Sequence, residues 1–392
     1  MATPDHTPQG RGYETSLLYF DAANGYWDML PEGGAYCSGL GALTDLWQMG
    51  GPAKGLNNSR LCSQQNQLPT CKYEDELFAE HMVNQIAEHN TSAGKPFFGF
   101  VSWHNCHAPP EVPAAFLKNF SFISVAGRAM YAAKANFMDA QIGKVVAALK
   151  AKGMWENTLL VAAADNGGPL GAANNWPHRG GKFSNWEGGT RANAFAAGGA
   201  VPPARRGAVE DGFAAIDDVY PTFCALAGVD PADARAAAAG LPPVSGFNLW
   251  PLISGANATS PRREVYLGDT DTGAQVGNTV LQGLINATSG MKVLVGELWW
   301  SSWPGPQSPN GSSPLALNVS VRCSPACLFD VLNDPNERKD LAAEQPAVLA
   351  ALLARKAEVE KALFNPNRGV KNATLLCAAA EKYGGFLGPF LP

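Results

Sequence analysis

Sustained hydrophobic periodicity in this chain begins at Glu74. Before it, residues 1–72 are rich in Gly, Pro, Asn and Ser and hold no period, which predicts loops and short elements. Glu74, Asp75 and Glu76 then open a helix in which Phe78, Met82 and Ile86 recur every fourth residue. Lys95-Pro96 breaks the pattern. The apolar run 97–101 predicts a buried strand, ending in Ser102-Trp103-His104-Asn105-Cys106-His107-Ala108-Pro109-Pro110. The longest helix follows, with Tyr131, Ala135, Met138, Ile142, Val145 and Leu149 on one stripe and Gly153 stopping it. Segment 158–164 is apolar on both faces, as a central strand of a mostly parallel sheet is, and it stops at Asp165-Asn166-Gly167-Gly168. A strand at 192–197 and a helix at 217–226 continue the alternation, which predicts an α/β domain with crossover connections.

Around 254–263 the texture changes. Short strands at 264–267, 291–295 and 327–332, a Gly-, Pro- and Ser-rich loop at 304–314 and one helix at 346–363 predict a smaller α+β domain. The division expected is 1–258 for the large α/β domain and 259–392 for the small one.

With 46% apolar and 16% charged residues, the chain has ample material for a core. A net charge of −5 supplies no basic field, which argues against nucleic acid as a partner. The longest apolar runs are too short to span a bilayer. Met1-Ala2-Thr3-Pro4-Asp5 has neither the basic nor the apolar region of a signal peptide. Yet N-x-[ST] sequons stand at Asn57, Asn90, Asn119, Asn257, Asn286, Asn310, Asn318 and Asn372, a density that points to a glycoprotein of the secretory path. The eight cysteines agree. Cys62 with Cys71 and Cys323 with Cys327 lie close but lack CxxC spacing, so local disulfides are expected. Cys106 and Cys224 sit in apolar contexts and are expected free and buried. The destination expected is lysosomal, vacuolar or extracellular, with the leader in a segment upstream of Met1.

Three segments could carry chemistry. Asp165-Asn166-Gly167-Gly168 offers a carboxylate and an amide oxygen at a strand end, the hard donors Ca²⁺ takes; as a tetrapeptide it is also ordinary turn chemistry. His107 could act as general acid or anion donor, or simply order a proline-rich loop; His104 is a lesser candidate of the same kind. Lys182, in the Gly-rich loop Asn174-Asn175-Trp176-Pro177-His178-Arg179-Gly180-Gly181-Lys182-Phe183-Ser184-Asn185-Trp186-Glu187-Gly188-Gly189, could hold an anionic oxygen. Two tryptophans in that loop predict that it packs down rather than waving in solvent. P-loop, HExxH and GxSxG motifs are absent.

These segments, in this order, resemble the sulfatase family, most closely its arylsulfatase B branch. The likeness runs from Arg11-Gly12-Tyr13-Glu14-Thr15-Ser16 through His107-Ala108-Pro109 and Asp139-Ala140-Gln141-Ile142-Gly143-Lys144-Val145. It continues through Asp165-Asn166-Gly167-Gly168 and Lys182-Phe183-Ser184-Asn185-Trp186-Glu187-Gly188-Gly189 to Leu328-Phe329-Asp330-Val331-Leu332-Asn333-Asp334-Pro335-Asn336-Glu337. The resemblance implies an alkaline-phosphatase-like mixed sheet flanked by helices, with a smaller C-terminal antiparallel-sheet domain. It implies hydrolysis of sulfate esters, either of aryl sulfates or of sulfated sugars such as glycosaminoglycan-like polysaccharide. It further implies Ca²⁺ held in part by Asp165 and Asn166, with His107 and Lys182 on the sulfate ester. The family's nucleophile, a formylglycine made within C/S-x-P-x-R, has no counterpart here: Cys323-Ser324-Pro325-Ala326-Cys327 lacks the arginine. The chain is therefore expected to be N-terminally truncated and inactive alone, with half its calcium ligands and a partner for Cys377 lying upstream. The alternative is a non-catalytic paralogue that binds sulfated glycans. A phosphatase or phosphodiesterase of the same superfamily fits less well, because few histidines lie late in the chain. Oligomeric state is left open.

Overall fold

The computed structural model describes all residues except 1, 22, 32–36, 38, 57–60, 269–274, 277–278, 281, 306–316, 318 and 363–371. Asn57, Asn310 and Asn318 thus lie outside the described residues. The chain forms two compact units, Met1–Trp155 with Arg368–Pro392, and Glu156–Asn367.

In the first unit, three two-residue strands, Leu17–Leu18, Trp47–Gln48 and Gly51–Pro52, make a small sheet amid loops. Helix α1 (Glu74–Glu88) packs against helix α2 (Ala126–Ala151). The face that α2 buries is not the expected stripe. Ala129, Ala133, Lys134, Phe137, Gln141 and Leu149 are buried, whereas Tyr131, Ala135, Met138, Ile142 and Val145 are only partly covered. Side-chain size decides the face: Ala133 and Phe137 join a core of Tyr26, Trp27, Tyr73 and Val112, and small residues let these rings approach. Phe137 meets Tyr73 edge-on at 4.7 Å and Phe116 at 5.0 Å.

Other expectations fail in this unit. Segment 97–101 forms no strand, and Phe98 and Phe100 are 57% and 69% exposed. An apolar run buries itself only where neighbours cover both faces, and no described strand pairs with this one. Cys377, expected to lack its partner, is disulfide-bonded to Cys37, 340 residues away in sequence. The bridge ties the helix Ala373–Lys382 to a core of Leu43, Ala380 and Leu387. The Cys62–Cys71 disulfide forms as expected. Cys106 and Cys224 are free, but half-buried rather than buried.

In the second unit, β1 (Leu160–Ala163) pairs, among the described strands, only with β2 (Ala194–Ala197), and the pair is antiparallel, not parallel. Neither strand is a covered centre: Ala163, Ala194 and Phe195 are exposed. A four-stranded antiparallel sheet follows, built from β3 (Glu264–Tyr266), β4 (Gly283–Asn286), β5 (Met291–Leu298) and β6 (Val321–Asp330) in the order β6-β5-β4-β3. The β5–β6 register shifts between Leu294 and Gly296, opposite the Cys323–Cys327 disulfide. The period-two pleat gives the sheet two different faces. Leu284, Met291, Val293 and Leu328 pack with Leu352 of helix α3 (Pro346–Glu360). Ile285, Leu294, Leu298 and Phe329 point to the opposite face and bury Trp186 of the Gly-rich loop. Among the described residues, no helix is long and apolar enough to cross a membrane.

Candidate active site

β1 ends at Ala163, and Asp165-Asn166-Gly167-Gly168 follows directly. This loop is knitted to the Lys182 loop by backbone bonds that only glycine permits. The Gly167 amide donates to the Gly189 carbonyl at 2.9 Å, and the Lys182 amide to the Gly168 carbonyl at 3.1 Å. The Asn175 side chain clamps both loops: its Oδ1 accepts from the Gly168 amide at 2.9 Å, and its Nδ2 donates to the carbonyls of Gly168 at 2.8 Å and Gly180 at 3.1 Å. A Cβ on Gly167 would lie 1.8 Å from the Gly188 oxygen, and one on Gly189 2.1 Å from the Ser184 oxygen. Close backbone approach, not turn chemistry alone, accounts for these glycines. Asp165, Asn166 and Lys182 thus belong to one loop cluster, in which Asp165 is exposed and the other two half-buried.

The Lys182 loop is bolted to the four-stranded sheet by polar contacts the sequence reading missed. Trp186 is fully buried and donates through Nε1 to Ser301 Oγ at 2.8 Å. Of the two tryptophans expected to pack down, only Trp186 does; Trp176 stays exposed. The Arg179 guanidinium lies between the rings of Trp186 and Trp303, 3.8 and 3.9 Å from their centroids. It donates to the carbonyls of Ser301 at 2.8 Å and Glu337 at 3.3 Å. Burial lowers its pKa to about 10. Beneath it, Lys292 Nζ is 2.9 Å from both Glu187 Oε1 and Glu337 Oε1, and all three side chains are buried. The Glu187 contact is a hydrogen bond, and Glu337 Oε1 is held as an ion pair without hydrogen-bond alignment. Glu337 Oε2 also accepts from the Glu187 amide at 2.7 Å. The surrounding Trp-Glu-Gly-Gly and Asp-Pro-Asn-Glu segments are joined through a lysine on β5, a link that lies in no local spacing.

Phe183 has φ +73°, and Trp300 has φ +57°. Left-handed backbone at a bulky residue costs roughly 1–3 kcal/mol and survives only where the surroundings impose it.

His107 lies in the first unit, half-buried, with its Nδ1 at 3.2 Å from the Ala108 oxygen. Its backbone is fixed from beneath. Its carbonyl accepts from Tyr26 Oη at 2.9 Å and from Lys134 Nζ, which also donates to the Pro109 carbonyl at 2.8 Å. Burial lowers the Lys134 pKa to about 8. His104 is no candidate for substrate: it is buried, with Nδ1 2.9 Å from Glu74 Oε2, Nε2 3.1 Å from the Ala108 oxygen, and its ring stacked 3.9 Å from that of Tyr26. A carbonyl can only accept, so Nε2 carries the proton there. Burial, assisted by the Lys134 charge, lowers the His104 pKa to about 3, and burial raises Glu74 well above the usual carboxylate range. Both shifts favour the uncharged forms, in which the Glu74 carboxyl donates to Nδ1. Asp75 accepts from the amides of His104 at 3.1 Å and Asn105 at 2.9 Å. Glu74 and Asp75 open α1 as expected from the sequence, but they face inward as anchors of the 104–110 loop, not outward to solvent.

The donor chemistry at Asp165 and Asn166 fits a hard cation in kind. Asn166 Nδ2 turns back to the Gly167 carbonyl at 2.8 Å, which leaves its Oδ1 available. Among the described residues, no group of three or more His, Cys, Asp and Glu comes together.

Residues 8–229 match the family model described as Sulfatase. The chain belongs to the sulfatase family. Among curated relatives, this sulfatase is 29% identical to arylsulfatase J of Mus musculus over 307 residues, which is 74% of this chain and 49% of the relative. It is 26% identical to arylsulfatase D of Homo sapiens over 299 residues, 71% of this chain and 45% of the relative. The chain thus spans about half the length of these relatives. Among solved structures, Ps i-CgsB in complex with k-i-k-neocarrahexaose superposes with a TM-score of 0.68 at 22% identity, covering 97% of this chain and 73% of that one. The PsFucS1 sulfatase from Pseudoalteromonas sp. gives 0.55 at 22%, covering 83% and 60%. These likenesses establish the alkaline-phosphatase-like α/β fold.

Proposed function

We propose that this sulfatase hydrolyses sulfate esters on sulfated sugars, and that these 392 residues carry the sulfate-gripping side of the site. Lys182 would hold a sulfate oxygen. His107 would protonate the leaving oxygen, its imidazole presented by a loop whose carbonyls Lys134 and Tyr26 restrain. Asp165 and Asn166 would supply two of the oxygen ligands to Ca²⁺, which when bound offsets negative charge on the ester. The nucleophile motif is not among these residues, so the proposal assigns it to sequence outside them. The observation that carries the reading is the Lys182–Gly168 backbone bond, which supports a cation and two hard-oxygen donors working in one loop cluster. We also take residues 1–258 as part of the catalytic domain and 259–392 as the smaller one. A glycoprotein of the lysosomal or extracellular path fits the disulfides and the exposure of Asn90, Asn119, Asn257 and Asn372; Asn286 is half-buried.

The test is turnover of 4-nitrophenyl sulfate with Ca²⁺ present. The chain as written should be inactive. A chain extended by upstream coding sequence carrying C-x-P-x-R should be active, and its His107→Ala and Lys182→Ala variants should each lose at least a hundredfold in kcat/KM, the scale of one general acid or one charge-stabilising donor. Full activity in either variant would overturn the role assigned to it. Binding of a sulfated glycan by the extended chain with no turnover would favour the non-catalytic paralogue.

A further inference from the structure

Two bulky aromatic residues beside Lys182 are held in left-handed backbone, and neither is placed there by the core. Phe183 is 42% exposed, and Trp300 is half-buried. Their ring centroids are 6.4 Å apart with planes inclined at 47°, so neither ring covers the other's face. Lys182 Nζ lies 5.2 Å from the Phe183 centroid. The loop is otherwise full of glycine, and glycine at 183 would remove the backbone strain. The position instead carries a ring that the fold leaves on the surface.

We propose that Phe183 and Trp300 form an aromatic platform on which one pyranose ring of the substrate rests, next to the Lys182 ammonium that takes its sulfate. The carbon-bound hydrogens on one face of a pyranose carry partial positive charge and lie well against the negative face of an aromatic ring. A sulfated sugar offers that face and an anion in one residue; an aryl sulfate offers the anion and a flat ring with a negative face of its own. Such sites combine a few apolar or aromatic side chains with a small number of placed polar groups, which is what this one holds. The proposal rests on the sulfate-ester reading only for its anion half.

The test is binding of a chondroitin 4-sulfate hexasaccharide, its desulfated counterpart and inorganic sulfate, followed by calorimetry and by saturation transfer from protein to sugar protons. The variants are Phe183→Gly and Trp300→Gly, each checked for the parent's fold by circular dichroism, together with Phe183→Tyr and Lys182→Ala. Each glycine variant should weaken the hexasaccharide about tenfold, the scale of one aromatic contact, and leave inorganic sulfate unchanged; Phe183→Tyr should bind like the parent. Transfer to the desulfated hexasaccharide that disappears in the glycine variants would uphold the platform even if Lys182→Ala had no effect and the sulfate reading failed. Glycine variants that bind the hexasaccharide like the parent, while Lys182→Ala weakens it, would overturn the platform and leave the sulfate reading standing. No saturation transfer to either hexasaccharide in the parent protein would also overturn it.

Discussion

The amide of Lys182 donates to the carbonyl of Gly168 at 3.1 Å, so the backbone of the candidate sulfate-binding cation hangs on the turn that presents Asp165 and Asn166. The two segments, 14 residues apart, cannot move independently without breaking this bond and the Asn175 clamp around it. Any change that widens the turn should therefore reach Lys182.

Gly168→Ala tests that coupling. A Cβ there would lie 2.1 Å from the Ala173 Cβ, which is far inside contact distance. The expected cost is about 1–3 kcal/mol, as for other overpacked sites, read as a lower urea midpoint. Sulfate affinity should fall with it. Ala173→Gly added to Gly168→Ala frees that space and should restore both. Unchanged stability in the single variant would show that the loops give way locally.

The Lys292–Glu187–Glu337 cluster is fully buried, so its charges are worth less for their attraction than for their mutual compensation. Burial pushes the Lys292 pKa down and Glu337 up; the carboxylates of Glu187 and Glu337 overcome the first, leaving Lys292 raised. Lys292→Met strands two carboxyl groups and should destabilise the second unit by about 3–5 kcal/mol. Lys292→Met with Glu187→Gln and Glu337→Gln removes the charges together and should recover most of that loss in chemical denaturation. A single variant as stable as the parent would show that water reaches the cluster.

Acid should stabilise the first unit. Burial raises Asp75 and Asp45 to about 6 each, and Glu74 well above its usual range. Carboxyls raised in this way contribute stability that is fully present below their unfolded values near 4 and is lost as pH rises through their folded values, about 6 for Asp75 and Asp45. His104 opposes them: lowered to about 3, it contributes stability present above about 6.5 that is lost as pH falls through about 3. Three groups outweigh one between pH 7 and 5, so the urea midpoint should rise over that interval. Asp75→Asn removes one raised group and should shrink the rise by about 1 kcal/mol. A midpoint that falls from pH 7 to 5 would contradict the neutral Glu74–His104 pair.

How much of this could be read from the chain alone depends on the range of the interaction. Helix α1 announced itself by period, and three strands of the four-stranded sheet were legible as short strand candidates. Segments 97–101 and 158–164 carried an equally clear apolar signal, yet are left partly exposed, since composition states what a strand could bury and not whether a partner is there. Asp165, Asn166, His107 and Lys182 were legible as residue types at strand ends and in a Gly-rich loop. Their supports were not. Glu74 reads as a helix-opening acid and Lys292 as a polar residue on a strand; only the chain's return, 30 residues later at His104 and 105 residues earlier at Glu187, turns them into buried partners. The aromatic arginine sandwich at Arg179 is hidden for the same reason, with Trp303 and Ser301 supplied from beyond residue 300.

The Cys37–Cys377 bridge offers the last test. It closes a loop of 340 residues and fixes the helix Ala373–Lys382, which buries only Ala380 of its own. In the chain-entropy account a disulfide stabilises by restricting the unfolded chain, and a loop this long should give about 6 kcal/mol. The pair Cys37→Ala and Cys377→Ala should therefore lower the stability of the chain against complete unfolding by about that amount, because the closed loop includes the second unit. Proteolysis should register the loss first near residue 373, where the helix opens on exposed residues. Double alanine replacement that leaves both the denaturation midpoint and the cleavage pattern as in the parent would mean that Leu43, Ala380 and Leu387 hold the C-terminal segment without the bridge.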